Sequence, residues 1–183
     1  MSRKLLAALT LAVFGLVANR QALAGSASVP FQAKAQVNPN CSIAVAGDLD
    51  FGSYDPVGAN AAAAKTGSTS LAVACTRGAN STVSLNAGPN FGAGLPGLRA
   101  MTTGAGGAGN TLSYSLFQPT VIGGSGSSSG TPWGDGTVGG NPFTVPVSIG
   151  VAVRTLLVFG SIPGGQDVST GAYVDNVTAT VNF

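Results

Sequence analysis

"GSASVPFQAKAQVN", residues 25–38, places Ala27, Val29, Phe31, Ala33, Ala35 and Val37 at every second position, with polar residues or proline between them. That is the period of a β-strand with one buried face. The stretch lies before the first cysteine and carries no turn signal that would fold it back onto a neighbour. Only "NPN" (38–40) separates it from Cys41. Two readings stay open on these residues: the first strand of the chain's own domain, or a strand whose partner lies elsewhere. Pro30 cannot donate a ladder hydrogen bond, so it fits only where its nitrogen faces away from a partner strand.

What precedes the stretch sets the compartment. Ser2-Arg3-Lys4 is a basic leader, Leu5–Ala18 is a largely apolar run of 14 residues, and Ala22-Leu23-Ala24 offers small residues at −3 and −1 of a cleavage site. This is the pattern of a secretory signal, and the run falls short of the ~20 residues a membrane span needs. Residues 1–24 are therefore expected to be removed, leaving 159 residues, enough for one domain with a real core. Arg3, Lys4 and Arg20 go with the signal. Lys34, Lys65, Arg77, Arg99 and Arg154 then stand against six Asp, a net charge of about −1. Five scattered cations do not make a phosphate-binding surface, so no nucleic-acid partner is expected. In an exported chain Cys41 and Cys75 read as a disulfide, with one possible connectivity, contributing ~3–4 kcal/mol by loop-closure entropy.

The chain has no His and no Glu. A Ser-His-Asp triad and a His-based zinc site are excluded, since His is the usual general base and metal ligand. Asp48, Asp50 and Asp55 form the one close acidic cluster, and turn chemistry explains them. "WGDGT" (133–137) supplies a single carboxylate, too few for a calcium cage. No enzymatic activity, cofactor, metal or small-molecule substrate is expected.

Along the chain, period-2 stretches alternate with Gly, Pro, Asn and Ser clusters. Strands are expected at 41–45, 49–54, 69–76, 81–87, 111–118, 143–151, 154–162 and 172–183. This pattern predicts an all-β sandwich or barrel. "VGANAAAAK" (57–65) is long enough for a helical turn at most. "TTGAGGAGN" (102–110) reads as a connection between antiparallel strands. "GGSGSSSGTPWGDGT" (123–137) could link two domains, but neither side is long enough for a second sandwich, so it reads as an exposed loop.

"LDFGSYDP" (49–56), "CTRGA" (75–79), "RAM" (99–101), "LSYSLF" (112–117), "WGDGT" (133–137) and "VFGSIPGGQDVSTGAYVDNVTATVNF" (158–183) occur in an order that resembles the spore coat protein U family. The family includes subunits of archaic, Csu-type chaperone–usher pili of Gram-negative bacteria. The resemblance implies an incomplete immunoglobulin-like β-sandwich over residues 39–183, completed by a donor strand from a neighbouring subunit. It implies that residues 25–38 are such a donor strand, with Ala27, Val29, Phe31, Ala33, Ala35 and Val37 filling the neighbour's groove. It also implies that the C-terminal strand, through Val177, Ala179, Val181 and Phe183, borders the groove and faces a periplasmic chaperone.

The partners implied are other copies of the chain or related pilins, that chaperone and an outer-membrane usher. The location implied is the cell surface, with a role in surface adhesion and biofilm formation. Two alternatives stand beside this: a surface or spore-coat protein of the same fold, and a monomeric secreted carbohydrate-binding module. N-terminal sequencing of the exported protein should begin at Gly25; a retained apolar leader would return the chain to the membrane.

Overall fold

The computed structural model describes residues 24–104 and 110–183; the expected signal lies, but for Ala24, in residues 1–23, outside them. The chain divides into two units, one ending at Gln36 and one spanning Val37–Phe183. In the first, residues 24–36 form neither strand nor helix and are exposed, Phe31 at 89%. The second carries eight strands: β1 (Cys41–Val45), β2 (Lys65–Cys75), β3 (Ser81–Leu85), β4 (Arg99–Thr102), β5 (Thr111–Phe117), β6 (Phe143–Val145), β7 (Arg154–Ile162) and β8 (Ala179–Asn182). They form a five-stranded sheet, β1-β2-β7-β5-β4, and a three-stranded sheet, β6-β3-β8. Every ladder between these strands is antiparallel. The expected all-β sandwich is what the chain forms.

Alternation explains the central strands. β2 and β7 pair from Lys65↔Ile162 to Val73↔Arg154, with Leu71, Val73, Leu156 and Val158 on the inner face. Val83 and Leu85 of β3 and Val145 of β6 close over them from the other sheet. Each such side chain contributes ~1.5–3 kcal/mol on leaving water. Cys41 faces Cys75 in the β1–β2 register, and the two are joined as a disulfide, as their count predicts.

Three expected strands need correction. Residues 49–54 form none. Gly67 and Gly160 are cross-strand partners, and their missing side chains leave a bare patch on the sheet. Leu49 and Phe51 lie across it, so close that a Cβ at Gly160 would meet the Phe51 ring at 2.5 Å. The alternation there records side chains plugged into a sheet rather than a strand within one. Of 143–151 only Phe143–Val145 forms a strand, and of 172–183 only Ala179–Asn182, preceded by a single antiparallel bridge from Val174 to Thr102 of β4. Conversely β4 was not expected, because a four-residue strand headed by a cation has no apolar period.

That cation, Arg99, is 1% exposed. Its guanidinium donates to the carbonyls of Leu85, Asn86 and Trp133, at 3.2, 2.8 and 2.9 Å from Nη2, and Nε donates to Asn86 at 3.0 Å. Burial lowers its pKa, yet an arginine stays charged, and a buried cation without partners would be costly. The 123–137 tract is a loop within the domain, as expected, but it is not a loose one. Trp133 is fully buried, donates from Nε1 to the Val83 carbonyl at 2.8 Å and packs against Phe143. Arg99 and Trp133 together fasten a glycine-rich loop to both sheets. Arg99→Met should strand the buried carbonyls of Leu85 and Trp133 and lower stability by about 3 kcal/mol in denaturant unfolding; a loss below about 1 kcal/mol would show that water replaces it.

Candidate functional site

The two sheets are unequal, and the inequality leaves a groove. β1 ends the larger sheet and β8 ends the smaller, so each has one edge with no strand beside it. Residues 43–45 and 173–179 form the walls of a hollow of about 790 Å³. Its floor is core: Leu71, Leu85, Leu116, Val158, Met101 and Tyr114. A second hollow of about 510 Å³, lined by Phe51, Tyr54, Leu112, Ile162 and Val168, shares Leu49, Asp50, Met101 and Tyr173 with the first. The two hollows therefore adjoin along the sandwich; core side chains make their floors apolar, while Asp50, Asp175 and Asn176 are among the polar residues that also line them.

Burial grades across this region in a telling way. Val83, at the centre of the small sheet, is 0% exposed. Ile43 on β1, Val177, and Ala179 and Val181 at the inward positions of β8 pack on the same core but are only half-buried. These inward side chains have a neighbour on one side and solvent on the other. β1 and β8 also approach each other, with Cα atoms within 8 Å at the closest pairs. A strand bonded to both would hold them about 9–10 Å apart, twice the interstrand spacing, so admitting one requires the walls to part.

One polar element interrupts the apolar floor. The Tyr114 hydroxyl donates to Oδ2 of Asp175 at 2.7 Å. Desolvation, reinforced by that carboxylate, pushes the Tyr114 pKa above its ordinary value, so the hydroxyl remains a donor. Among the described residues no group of three or more His, Cys, Asp or Glu side chains could hold a metal ion. What the site offers chemically is apolar surface and unpaired strand edges, the setting for strand addition.

The residues expected from the sequence fall as follows. Val177 and Ala179 line the groove; Val181 lies opposite Val83 on β8, and Phe183 follows the strand, exposed. Ala27, Val29, Phe31, Ala33, Ala35 and Val37 form no strand and are exposed. The groove floor was not anticipated. Leu116 and Val158 could be read as inward-facing, but nothing in a period-2 pattern tells a covered inner face from an uncovered one.

The profile of the Spore Coat Protein U domain matches residues 27–180, and the chain belongs to that family. Over 181 residues it is 35% identical to Protein U of Myxococcus xanthus, covering 94% of this chain and 93% of that one. A solved chaperone–tip adhesion subunit pre-assembly complex, CsuC–CsuE, from the archaic chaperone–usher Csu pili of Acinetobacter baumannii aligns with 23% identity and a TM-score of 0.49. That alignment covers 80% of this chain and 40% of the other, so this chain spans about two-fifths of its length.

The burial gradient makes a measurable claim. Val83→Ala should cost ~2 kcal/mol of folding stability, and Val181→Ala, its half-buried cross-strand partner, about half of that. Equal costs would mean that β8 is already fully covered.

Proposed function

We propose that this protein is a structural, non-catalytic subunit of a chaperone–usher pilus, exported through the periplasm and polymerised on the cell surface by donor-strand complementation. In this reading residues 1–24 are a signal, 25–38 the donor strand and 39–183 the incomplete pilin domain. The observation that carries it is a pairing of needs. The domain has an apolar groove between two unpartnered strand edges, and the same chain has an exposed segment whose apolar residues alternate.

Lengths agree as well. From Ala27 to Val37 an extended chain spans ~33 Å, enough to run the ~20 Å of the groove wall 173–179 and beyond it. Seating Val29, Phe31, Val37 and three alanines contributes on the order of 5–10 kcal/mol from apolar burial, before any ladder hydrogen bonds. Because donor and groove are different surfaces, each contact leaves one of each free. The assembly grows head to tail without closing. Before assembly a periplasmic chaperone covers the groove, and the outer-membrane usher is where the exchange takes place. Adhesion to surfaces and biofilm support are the roles such a fibre would serve.

The family's description as a spore coat domain favours a second reading, in which the same strand exchange builds a surface layer. Electron microscopy of expressing cells separates the two, fibres from sheets.

Phe31 provides the direct test. Phe31→Ala empties the largest side chain of the donor face and should weaken each subunit–subunit contact by ~3–5 kcal/mol. The chaperone-bound subunit should melt as before, while polymers form poorly or dissociate at lower temperature in detergent. Gln32→Ala, on the opposite face, should have much less effect. If Phe31→Ala instead prevented the subunit from folding with its chaperone and spared the polymer, residues 25–38 would belong to their own domain.

A further inference from the structure

The loop between β6 and β7, "PVSIGVAV" (146–153), exposes Ile149 at 82%, Val151 at 76% and Val153 at 65%, with Val147 half-exposed before them. Isolated apolar residues on a surface are ordinary, but four in seven positions form a patch that a protein ordinarily covers. The loop is also held firmly. Ser148 is buried; its amide donates to the Ala79 carbonyl at 3.3 Å and its hydroxyl to the carbonyls of Cys75 and Gly150. Its own carbonyl accepts from Gly78 at 2.8 Å. Arg154 braces the other side, donating to the carbonyls of Pro146 and Val147. The apolar side chains are therefore presented on a fixed support.

The position of that support decides what covers it. Ser148 is anchored on the turn that follows Cys75, and Cys75 is bonded to Cys41, the first residue of β1. Asn40 is on the same turn, accepting from and donating to Thr76. The apolar loop thus lies at the end of the sandwich from which residues 25–38 depart. Val121 adds to it: the turn it occupies is tied through Gly123 to Thr155 at the start of β7, and it too is exposed.

Three residues, Asn38-Pro39-Asn40, connect Val37 to Cys41, a reach of about 14 Å at most. If the segment up to Val37 is seated in an acceptor's groove, the acceptor has to stand against this end of the donor. We propose that the 146–153 loop is the donor subunit's side of a second contact between successive copies of this chain, in which the acceptor covers Val147, Ile149, Val151 and Val153. This contact fixes the angle between subunits; the strand supplies the connection. The inference rests on the donor-strand reading.

Hydroxyl-radical footprinting of the full-length assembled polymer tests both and tells them apart. Ile149 and Val151 should oxidise at least tenfold more slowly than their intrinsic reactivity, as buried Val83 and Leu156 do, with Phe31 protected as well. Protection of Phe31 while Ile149 and Val151 react as free side chains would overturn this contact and leave the donor strand standing. An unprotected Phe31 would overturn both. In a second arm, Ile149→Ser with Val151→Ser should still give detergent-resistant polymers, since neither residue belongs to the core, but with a broadened subunit-to-subunit angle in electron micrographs. An unchanged angle would overturn the proposal.

Discussion

A two-sheet core needs cover along both of its faces, and this chain supplies one face more generously than the other. The five-stranded sheet is met by three short strands, of which only β3 has a strand on each side. The remaining features follow from that shortage. Val83 and Leu156 lie at the covered centre, while the inward residues of β1 and β8, each the last strand of its sheet, are half-buried. The groove runs beside these two edges, whose outward hydrogen-bonding groups have no strand laddered to them. The loops compensate where strands do not. Trp133 and Arg99, both outside the regular ladder of the small sheet, seal the side away from the groove with hydrogen bonds to its strand β3 and the loop after it.

How far residue order alone leads depends on what each element has to do. β1 and β7 match their period-2 stretches to the residue, because each has one inner and one outer face and alternation reports that. Residues 49–54 show the same period for another cause, Leu49 and Phe51 settling on a glycine pair, Gly67 and Gly160, whose members lie far apart in the chain. Local pattern carries no trace of that pairing. The stretch 143–151 loses its strand after Val145, where the chain turns to bury Ser148 in place of an apolar residue. Arg99 and Trp133 sit among glycines and read as surface; their burial depends on backbone carbonyls from two distant segments, 83–86 and Trp133 itself. For the site, the walls were within reach of the sequence and the floor was not, because exposure of an inner face is a property of the whole assembly of strands.

The match to the Spore Coat Protein U domain family takes in the segment from Ala27 onward together with the sandwich, since the family profile spans residues 27–180. A segment that forms no strand within its own chain, yet belongs to the unit by which the family is defined, is consistent with a role outside that chain. The polymer reading gives the segment a purpose that the fold by itself does not.

The disulfide has a mechanical meaning in such a polymer. Tension transmitted along the donor segment would enter the domain at Asn40 and Cys41, and β1 alone, five residues long with a ladder on one edge, could be peeled away one hydrogen bond at a time. The Cys41–Cys75 bond intercepts the load at the first residue of β1 and passes it to β2, an eleven-residue strand laddered on both sides. In a fibre of that kind the load would fall on many ladder bonds of β2 together, so a covalent cross-link placed for folding would also raise the force the domain withstands.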